Sequence, residues 1–131
     1  MIKKGTLLLL LTGLISSCQL FPGPKKNQFL LNLDNLASEK VIKLPVNGSA
    51  HAIRVSITGN ISDSLAVQWG NYGKGDTLHV TERFVLPPGK VDYFYKGDFY
   101  GNSLYIKHTP FENSSIDGVL RVDMTVHASG N

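Results

Sequence analysis

Residues 120–127 read Leu-Arg-Val-Asp-Met-Thr-Val-His, and apolar and polar side chains alternate along this stretch without interruption. Successive side chains of a β-strand point to opposite faces, so a period of two predicts a strand with one buried face and one solvated face. The same period occurs in residues 53–58 and 104–108. We therefore expect strands rather than helices to build the domain.

Turn-forming residues divide the rest of the chain into short segments of this kind. The expected turns are Pro45 to Gly48, Gly59-Asn60, Pro87 to Gly89 and Gly101-Asn102. Residues 29–36 fit either a strand or a short helical turn, and no segment after Cys18 has a helical apolar stripe. The sequence predicts an all-β fold, a single β-sandwich of jelly-roll or immunoglobulin-like type with seven to nine strands.

The first eighteen residues have a different character. Lys3 and Lys4 give a basic start, and the apolar run that follows is too short to cross a bilayer. Ile15-Ser16-Ser17 then precede Cys18, the single cysteine of the chain. This arrangement resembles the bacterial lipoprotein signal peptide, whose lipobox is an aliphatic residue and two small residues before a cysteine. The resemblance covers Met1 to Cys18 only, and the alternative is an ordinary secretory signal with an incidental cysteine.

The resemblance implies cleavage before Cys18 and attachment of diacylglycerol to its sulfur, usually with a third acyl chain on the new amino group. Two or three acyl chains give stable membrane anchoring, whereas a single chain is marginal. Gln19 stands where an aspartate signals inner-membrane retention in enteric lipoproteins, so the resemblance favours the outer membrane if the host is Gram-negative. The expected organisation is a cleaved signal at 1–17, a lipidated N-terminus and Pro-rich tether at 18–28, and the β-sandwich at 29–131.

Composition limits the remaining function classes. The mature chain has the size of one domain. Much of the formal net charge of +3 comes from Lys3 and Lys4, which leave with the signal, so nothing indicates a basic face for nucleic acid. Once Cys18 is acylated, no thiol remains for a disulfide, a thiolate metal site or a nucleophile.

Catalytic and metal-binding patterns are weak in this sequence. His51, His79, His108 and His127 lie on different segments without the spacing of a zinc site, and we expect them at surfaces or edges. Asp76 and Asp98, beside loops, have no calcium-loop spacing. No nucleophile motif or selected pair of carboxylates is present. We therefore expect no cofactor, no metal and no enzymatic activity, and a small hydrolase is the least favoured alternative.

Aromatic residues are the feature that the fold alone explains least. Val91, Tyr93 and Tyr95 share one face of a predicted strand and fit a core, whereas Phe94 lies on the opposite, polar face. Tyrosine and tryptophan suit recognition, because each combines a flat apolar face with a polar tip. The candidate binding surface consists of Trp69, Tyr72, Phe94 and Tyr100.

These observations predict a lipid-anchored, non-catalytic binding or assembly module exposed at a bacterial envelope. The first expected partner is another envelope protein. The alternatives are a carbohydrate such as peptidoglycan, lipopolysaccharide or polysaccharide, and a role as a periplasmic inhibitor or immunity protein. Trp69, Tyr72 and Tyr100 in one exposed row with polar neighbours would favour sugar, and the same residues around a convex apolar patch would favour protein.

Overall fold

A computed structural model describes residues 24–130 of the chain. Six antiparallel strands form one continuous sheet, and the all-β prediction is confirmed. The strands are β1 (Lys25–Leu33), β2 (Lys40–Ile61), β3 (Leu65–Tyr72), β4 (Leu78–Leu86), β5 (Gly89–Pro110) and β6 (Gly118–Ser129), with one 3-10 turn at Lys74–Asp76. None of the described residues belongs to a helix with the length and hydropathy needed to cross a membrane.

The strand order is β1-β6-β2-β5-β3-β4, and the two longest strands, β2 and β5, pair with each other along most of their length. Each long strand contributes to two layers. The front layer contains β1, β6, residues 49–61 of β2 and residues 89–101 of β5. The rear layer contains residues 40–46 of β2, residues 103–110 of β5, and strands β3 and β4.

Aromatic contacts show that the two layers face each other. Trp69 in the rear layer lies 4.9 Å from the ring of Tyr95 in the front layer, measured between ring centroids. Phe84 stacks on Tyr93 at 4.0 Å, although β4 and β5 are not hydrogen-bonded neighbours at these residues. The sheet therefore folds over itself and encloses one core, which gives a sandwich-like domain.

Alternating side chains fill that core. Each strand directs one set of apolar residues inward, and β6 follows the predicted alternation, with Leu120, Val122, Met124 and Val126 all buried. Closely packed apolar side chains stabilise the fold by about 1.5–3 kcal/mol for each one fully buried. The largest inward side chains include Trp69, Phe99, Ile53, Ile57, Leu104 and Ile106.

The strand count differs from the predicted seven to nine, because two predicted pairs are single continuous strands. The segment Val41–Leu44 joins the segment after His51 in β2, and the segment 91–99 joins 104–108 in β5. Around Pro45 to Gly48 and at Gly101-Asn102 the chain bends between layers instead of ending. Gly48 has φ +87, and a Cβ there would collide with the backbone oxygen of Ser129.

Two other boundaries also require correction. Gly59-Asn60 is not a hairpin turn, because both residues belong to β2 and pair with residues of β6. The chain turns instead at residues 62–64, where Asp63 accepts a hydrogen bond from the Ser64 amide at 2.8 Å. Residues 25–28 of the predicted tether belong to β1, where Lys25 pairs opposite Ala128. Residues 29–33 form a strand rather than a helical turn. The signal peptide and Cys18 lie outside the described residues.

The sandwich has two ends, which we call the lower and upper ends. Lys25, Ala128, Ala50 and Gly101 form one row across the front layer at the lower end, and the loop of residues 73–77 lies at the same end. The loops of residues 34–39, 62–64, 87–88 and 111–117 lie at the upper end.

Candidate functional site

The predicted binding residues fall into three environments. Trp69 is not a surface residue, because its side chain is fully buried against Tyr95 and Phe99. The alternation of Leu65, Val67 and Trp69 along β3 explains this, since all three point inward. Trp69 therefore belongs to the core and is removed from the candidate surface.

Tyr72 and Tyr100 lie at the lower end. The Asn71 side chain donates a hydrogen bond to the backbone oxygen of Tyr100 at 2.8 Å, which joins the end of β3 to the bend of β5. Tyr72 is half-buried, and its ring lies 5.5 Å from the ammonium of Lys43. Tyr100 is 67% exposed. These two tyrosines lie at the same end of the sandwich, apart from Phe94.

Phe94 projects from the outer face of the front layer, as the parity of its strand predicts. It is 60% exposed, and the Arg54 guanidinium lies 5.9 Å from the ring centroid. A cation at this distance is attracted by the face of the aromatic ring, by about 0.5–1 kcal/mol at an exposed site. Neither Arg54 nor Phe94 is on a loop, so the sheet fixes the backbone positions of both.

Strand register builds a trough beside this pair. Phe94 lies opposite Ser56, Ser56 lies opposite Asp123, and Asp123 lies opposite Leu30, so one row crosses all four strands of the front layer. Strands lie about 4.8 Å apart, which places the α-carbons of Phe94 and Leu30 roughly 14 Å from each other. Both end residues are exposed apolar side chains, and the residues between them are short and polar.

The trough has a volume of about 160 Å³ and is lined by four polar residues, Arg54, Ser56, Asp123 and Thr125, and by two apolar residues, Phe94 and Val55. A cavity of about 150 Å³ accepts a six-membered ring. Among residues 24–130, the side chains of Arg54 and Asp123 form no ion pair with each other or with another residue. The trough thus offers a ring-sized space with a cation, a carboxylate and two hydroxyls beside an aromatic face.

A second cavity opens at the side of the sandwich between β4 and the first half of β5. Its volume is about 290 Å³, and its lining is mainly apolar, with Phe84, Val85, Leu86, Pro87, Val91 and Tyr93 joined by Lys90 and Asp92. Within the described part of the chain, β4 and residues 89–101 of β5 are paired on one side only. The cavity therefore lies between two open sheet edges.

Tyr93, which stacks on Phe84 at this cavity, has a raised pKa. Partial burial of the phenol raises the pKa first, and the nearby carboxylate of Glu82 and the Tyr95 side chain raise it further. Because the shift is upward, the Tyr93 hydroxyl remains a neutral hydrogen-bond donor and acceptor at physiological pH. This arrangement does not supply a nucleophile.

His108, like Trp69, lies in a position that differs from the one predicted from the sequence. It is 1% exposed rather than at a surface or edge, and neither ring nitrogen has a hydrogen-bond partner among the described residues. Burial, followed by the charge of Lys40, lowers its pKa, while the carboxylates of Asp34 and Glu39 act in the opposite direction. The period of two in the sequence indicates this buried position, because His108 follows Leu104 and Ile106 on the inward face of β5.

Groups that could hold a metal ion are sparse. Between residues 24 and 130, no group of three or more histidine, cysteine, aspartate or glutamate side chains comes together. Asp76, one of the loop acids considered for calcium, instead forms an ion pair with Lys43, and the hydrogen bond from that lysine lowers the pKa of the carboxyl group.

Comparison with known proteins finds structures of similar fold but identifies no family for this chain. No protein-family model and no curated protein matches the chain. A solved structure from Bacillus endospore appendages, described as forming disulfide-linked pili, is similar with a TM-score of 0.55 at 11% identity, and the match covers 85% of this chain and 92% of that chain. At this identity the similarity supports the all-β fold alone.

The VP2 subviral particle of infectious bursal disease virus is also similar, with a TM-score of 0.43 at 9% identity. The match covers 83% of this chain but only 33% of the viral chain.

Proposed function

We propose that this chain is a lipid-anchored, non-catalytic binding module of the bacterial cell envelope, and that the outer face of its front layer binds a saccharide. The observation that carries the proposal is the Phe94–Arg54 trough. An exposed aromatic ring beside uncommitted polar groups on a rigid sheet has the chemistry of sugar recognition: the ring stacks on a sugar face, and the polar groups bond its hydroxyls.

We further propose that the fold is a jelly roll. Because β2 and β5 each serve both layers, the six strands provide eight segments, four in each layer. The front layer pairs in the order β1-β6-β2-β5 and the rear layer in the order β2-β5-β3-β4. Eight segments in two four-stranded layers are the arrangement of a jelly roll. This fold also occurs in lectin domains, which agrees with a binding role but does not establish one.

The lipid anchor rests on the sequence of the N-terminal segment. The lipobox Ile15-Ser16-Ser17-Cys18 resembles that of bacterial lipoproteins, and Gln19 favours the outer membrane in a Gram-negative host. Acylation of Cys18 would hold the domain at the membrane. The expected mass of the mature protein therefore begins at Cys18 and includes two or three acyl chains, and Cys18→Ser would release the protein from the membrane fraction.

A binding experiment tests the saccharide assignment. Detergent-solubilised mature protein is passed over immobilised peptidoglycan fragments, lipopolysaccharide and envelope polysaccharide, and the retained fraction is measured. We expect retention on at least one glycan, with a loss of tenfold or more in Phe94→Ala and Arg54→Ala; a tenfold loss corresponds to about 1.4 kcal/mol of binding free energy. Phe111→Ala is the matched control, because Phe111 is an exposed aromatic residue at the upper end, away from the trough.

Two results would overturn this assignment. One is the failure of every glycan to retain the wild-type protein. The other is retention that Phe94→Ala and Arg54→Ala leave unchanged, because the binding surface would then lie elsewhere.

An envelope protein partner is the second candidate, and the side cavity favours it. A peptide strand could pair with the open edge of β4 or of β5 and place an apolar side chain in the cavity beside Phe84 and Tyr93. A charge in the edge strand tests this possibility: Val85 lines the cavity and is exposed, and Val85→Asp would remove the partner but leave glycan retention unchanged. Retention of a partner by Val85→Asp would exclude the edge of β4.

A further inference from the structure

The N-terminal boundary of β1 limits how the domain can sit at a membrane. β1 begins at Lys25, and six residues separate Lys25 from Cys18. A fully extended chain spans at most about 3.6 Å per residue, so Lys25 lies within roughly 25 Å of an acylated Cys18. The lower end, which contains the start of β1, is therefore the end of the sandwich nearest the anchor.

The exposed side chains of the lower end suit a bilayer surface. Lys25, Lys26 and Lys74 are exposed there, and Tyr100 is 67% exposed. The acids at this end are Asp76, which pairs with Lys43, and Asp98. Lysines are attracted to acidic headgroups, and tyrosine is enriched at the interface because it has an apolar body and a polar tip.

The upper end has the opposite charge. Its loops contain five carboxylates, and two lysines, Lys40 and Lys90, flank those loops; the carboxylates are Asp34, Glu39, Asp63, Glu112 and Asp117. Two of these are occupied in structural contacts, since Glu39 pairs with Lys107 and Asp63 accepts a hydrogen bond from Ser114. An acidic membrane surface would repel this end and attract the lower end, so electrostatics and tether length favour the same orientation.

We propose that the lower end rests on the phospholipid surface, with Tyr100 among the headgroups and Lys25, Lys26 and Lys74 against acidic lipids. This inference rests on the lipid anchor proposed above. Phe94 lies six residues before Tyr100 on β5, which places it roughly 20 Å farther from the bilayer at about 3.3 Å per residue. In this orientation the trough faces sideways, above the headgroups and open to a ligand.

Quenching by brominated lipids tests the orientation. Mature lipidated protein is reconstituted in vesicles of phosphatidylethanolamine and phosphatidylglycerol, with and without brominated acyl chains, and tryptophan emission is measured. Two variants are compared, Tyr100→Trp at the lower end and Phe111→Trp at the upper end, both at exposed aromatic positions. The native Trp69 is fully buried and supplies the same background in both.

We expect severalfold stronger quenching in Tyr100→Trp than in Phe111→Trp. Adding Lys25→Gln and Lys26→Gln to Tyr100→Trp should reduce that difference, whereas Lys90→Gln, at the upper end, should not. High salt should act like the lower-end substitutions, because it screens the lysines from the acidic lipids.

The possible outcomes distinguish failure of the proposed orientation from failure of the proposed lipid anchor. Vesicle-bound protein with weak and equal quenching in the two tryptophan variants would overturn the orientation and leave the anchor in place, as would stronger quenching in Phe111→Trp. Protein that does not bind vesicles and has an unacylated mass would overturn both proposals.

Discussion

The outer faces of the two layers differ in how their polar groups are used. On the rear layer, Lys107 pairs with Glu39 at 3.3 Å, Lys43 pairs with Asp76, and the Arg83 side chain donates to Gln68, which donates to the Tyr105 hydroxyl. On the front layer, neither Arg54 nor Asp123 has such a partner among the described residues. These polar side chains of the rear face pair with one another, whereas the charges of Arg54 and Asp123 on the front face are available to a ligand.

This difference distinguishes the rear face, whose side chains stabilise the fold, from the front face, which can bind a ligand. The two aromatic residues Tyr105 and Phe94 lie on the same strand, each on the outer face of one layer, yet Tyr105 is fully buried and Phe94 is 60% exposed. The hydrogen-bonded side chains of the rear face cover Tyr105. The short residues Ser56 and Asp123 beside Phe94 leave its ring accessible.

The largest expected effect is at Tyr105. Replacement Tyr105→Ala removes a fully buried ring and should lower the free energy of unfolding by about 3–5 kcal/mol, as measured by urea denaturation. Tyr105→Phe should cost only about 1 kcal/mol, because it keeps the ring and loses the hydrogen bond from Gln68 at 3.0 Å. Equal costs for the two variants would show that the hydroxyl network, rather than ring burial, stabilises the rear face.

The next effect concerns an unpartnered polar group inside the core. Burial lowers the pKa of His108, so the unfolded chain binds a proton at a higher pH than the folded chain does. The free energy of unfolding therefore has its full value above the usual histidine pKa and falls as the pH decreases through that range. His108→Leu should match or exceed the wild type at neutral pH and should lose this part of the pH dependence.

Denaturant midpoints measured from pH 8 to pH 5 check this prediction. His127→Gln is the control, because His127 lies on the outer side of β6 and is half-exposed. The carboxylates of Asp34 and Glu39, which face His108 electrostatically, are present in all three proteins and contribute a common slope. Identical pH profiles for wild type and His108→Leu would contradict the assignment.

Much of the fold could be predicted because burial follows a period of two. The alternation of residues 120–127 gave the correct buried face of β6, and the same rule placed Phe94 outward. The bends could not be predicted, because Pro45 to Gly48 and Gly101-Asn102 have the composition of turns. Only pairing with distant residues shows that the strand continues through them.

The candidate site was less predictable for the same reason. Arg54, Ser56 and Asp123 are ordinary polar residues in their own strands, and they meet only because β2 pairs with both β5 and β6. Register between strands distant in sequence depends on the whole fold. Trp69 was predicted on the binding surface, but its parity with Leu65 and Val67 on β3 places it in the core.

A smaller effect is expected at the ion pair of the rear face. Glu39→Gln removes the partner of Lys107 and should reduce stability by about 0.2–1 kcal/mol, the usual range for pairs near the surface. The difference should shrink in high salt. Glu112→Gln, in an exposed upper-end loop, should leave the free energy of unfolding unchanged. A loss at Glu39 well above this range would indicate a network that includes its hydrogen bond from Thr109.

The smallest expected effect on stability is at Phe94, and that is what makes the residue informative. Phe94→Ala removes an exposed ring and its contact with Arg54, so the free energy of unfolding should fall by about 0.5 kcal/mol, the lower limit for an exposed cation–π contact. The same variant should lose saccharide binding. A large aromatic side chain that is exposed and contributes little to folding is what the proposed binding role requires. If Phe94→Ala instead destabilises the domain as much as Tyr105→Ala does, the aromatic residues of both faces stabilise the fold. That result would contradict the proposed binding role of the front layer.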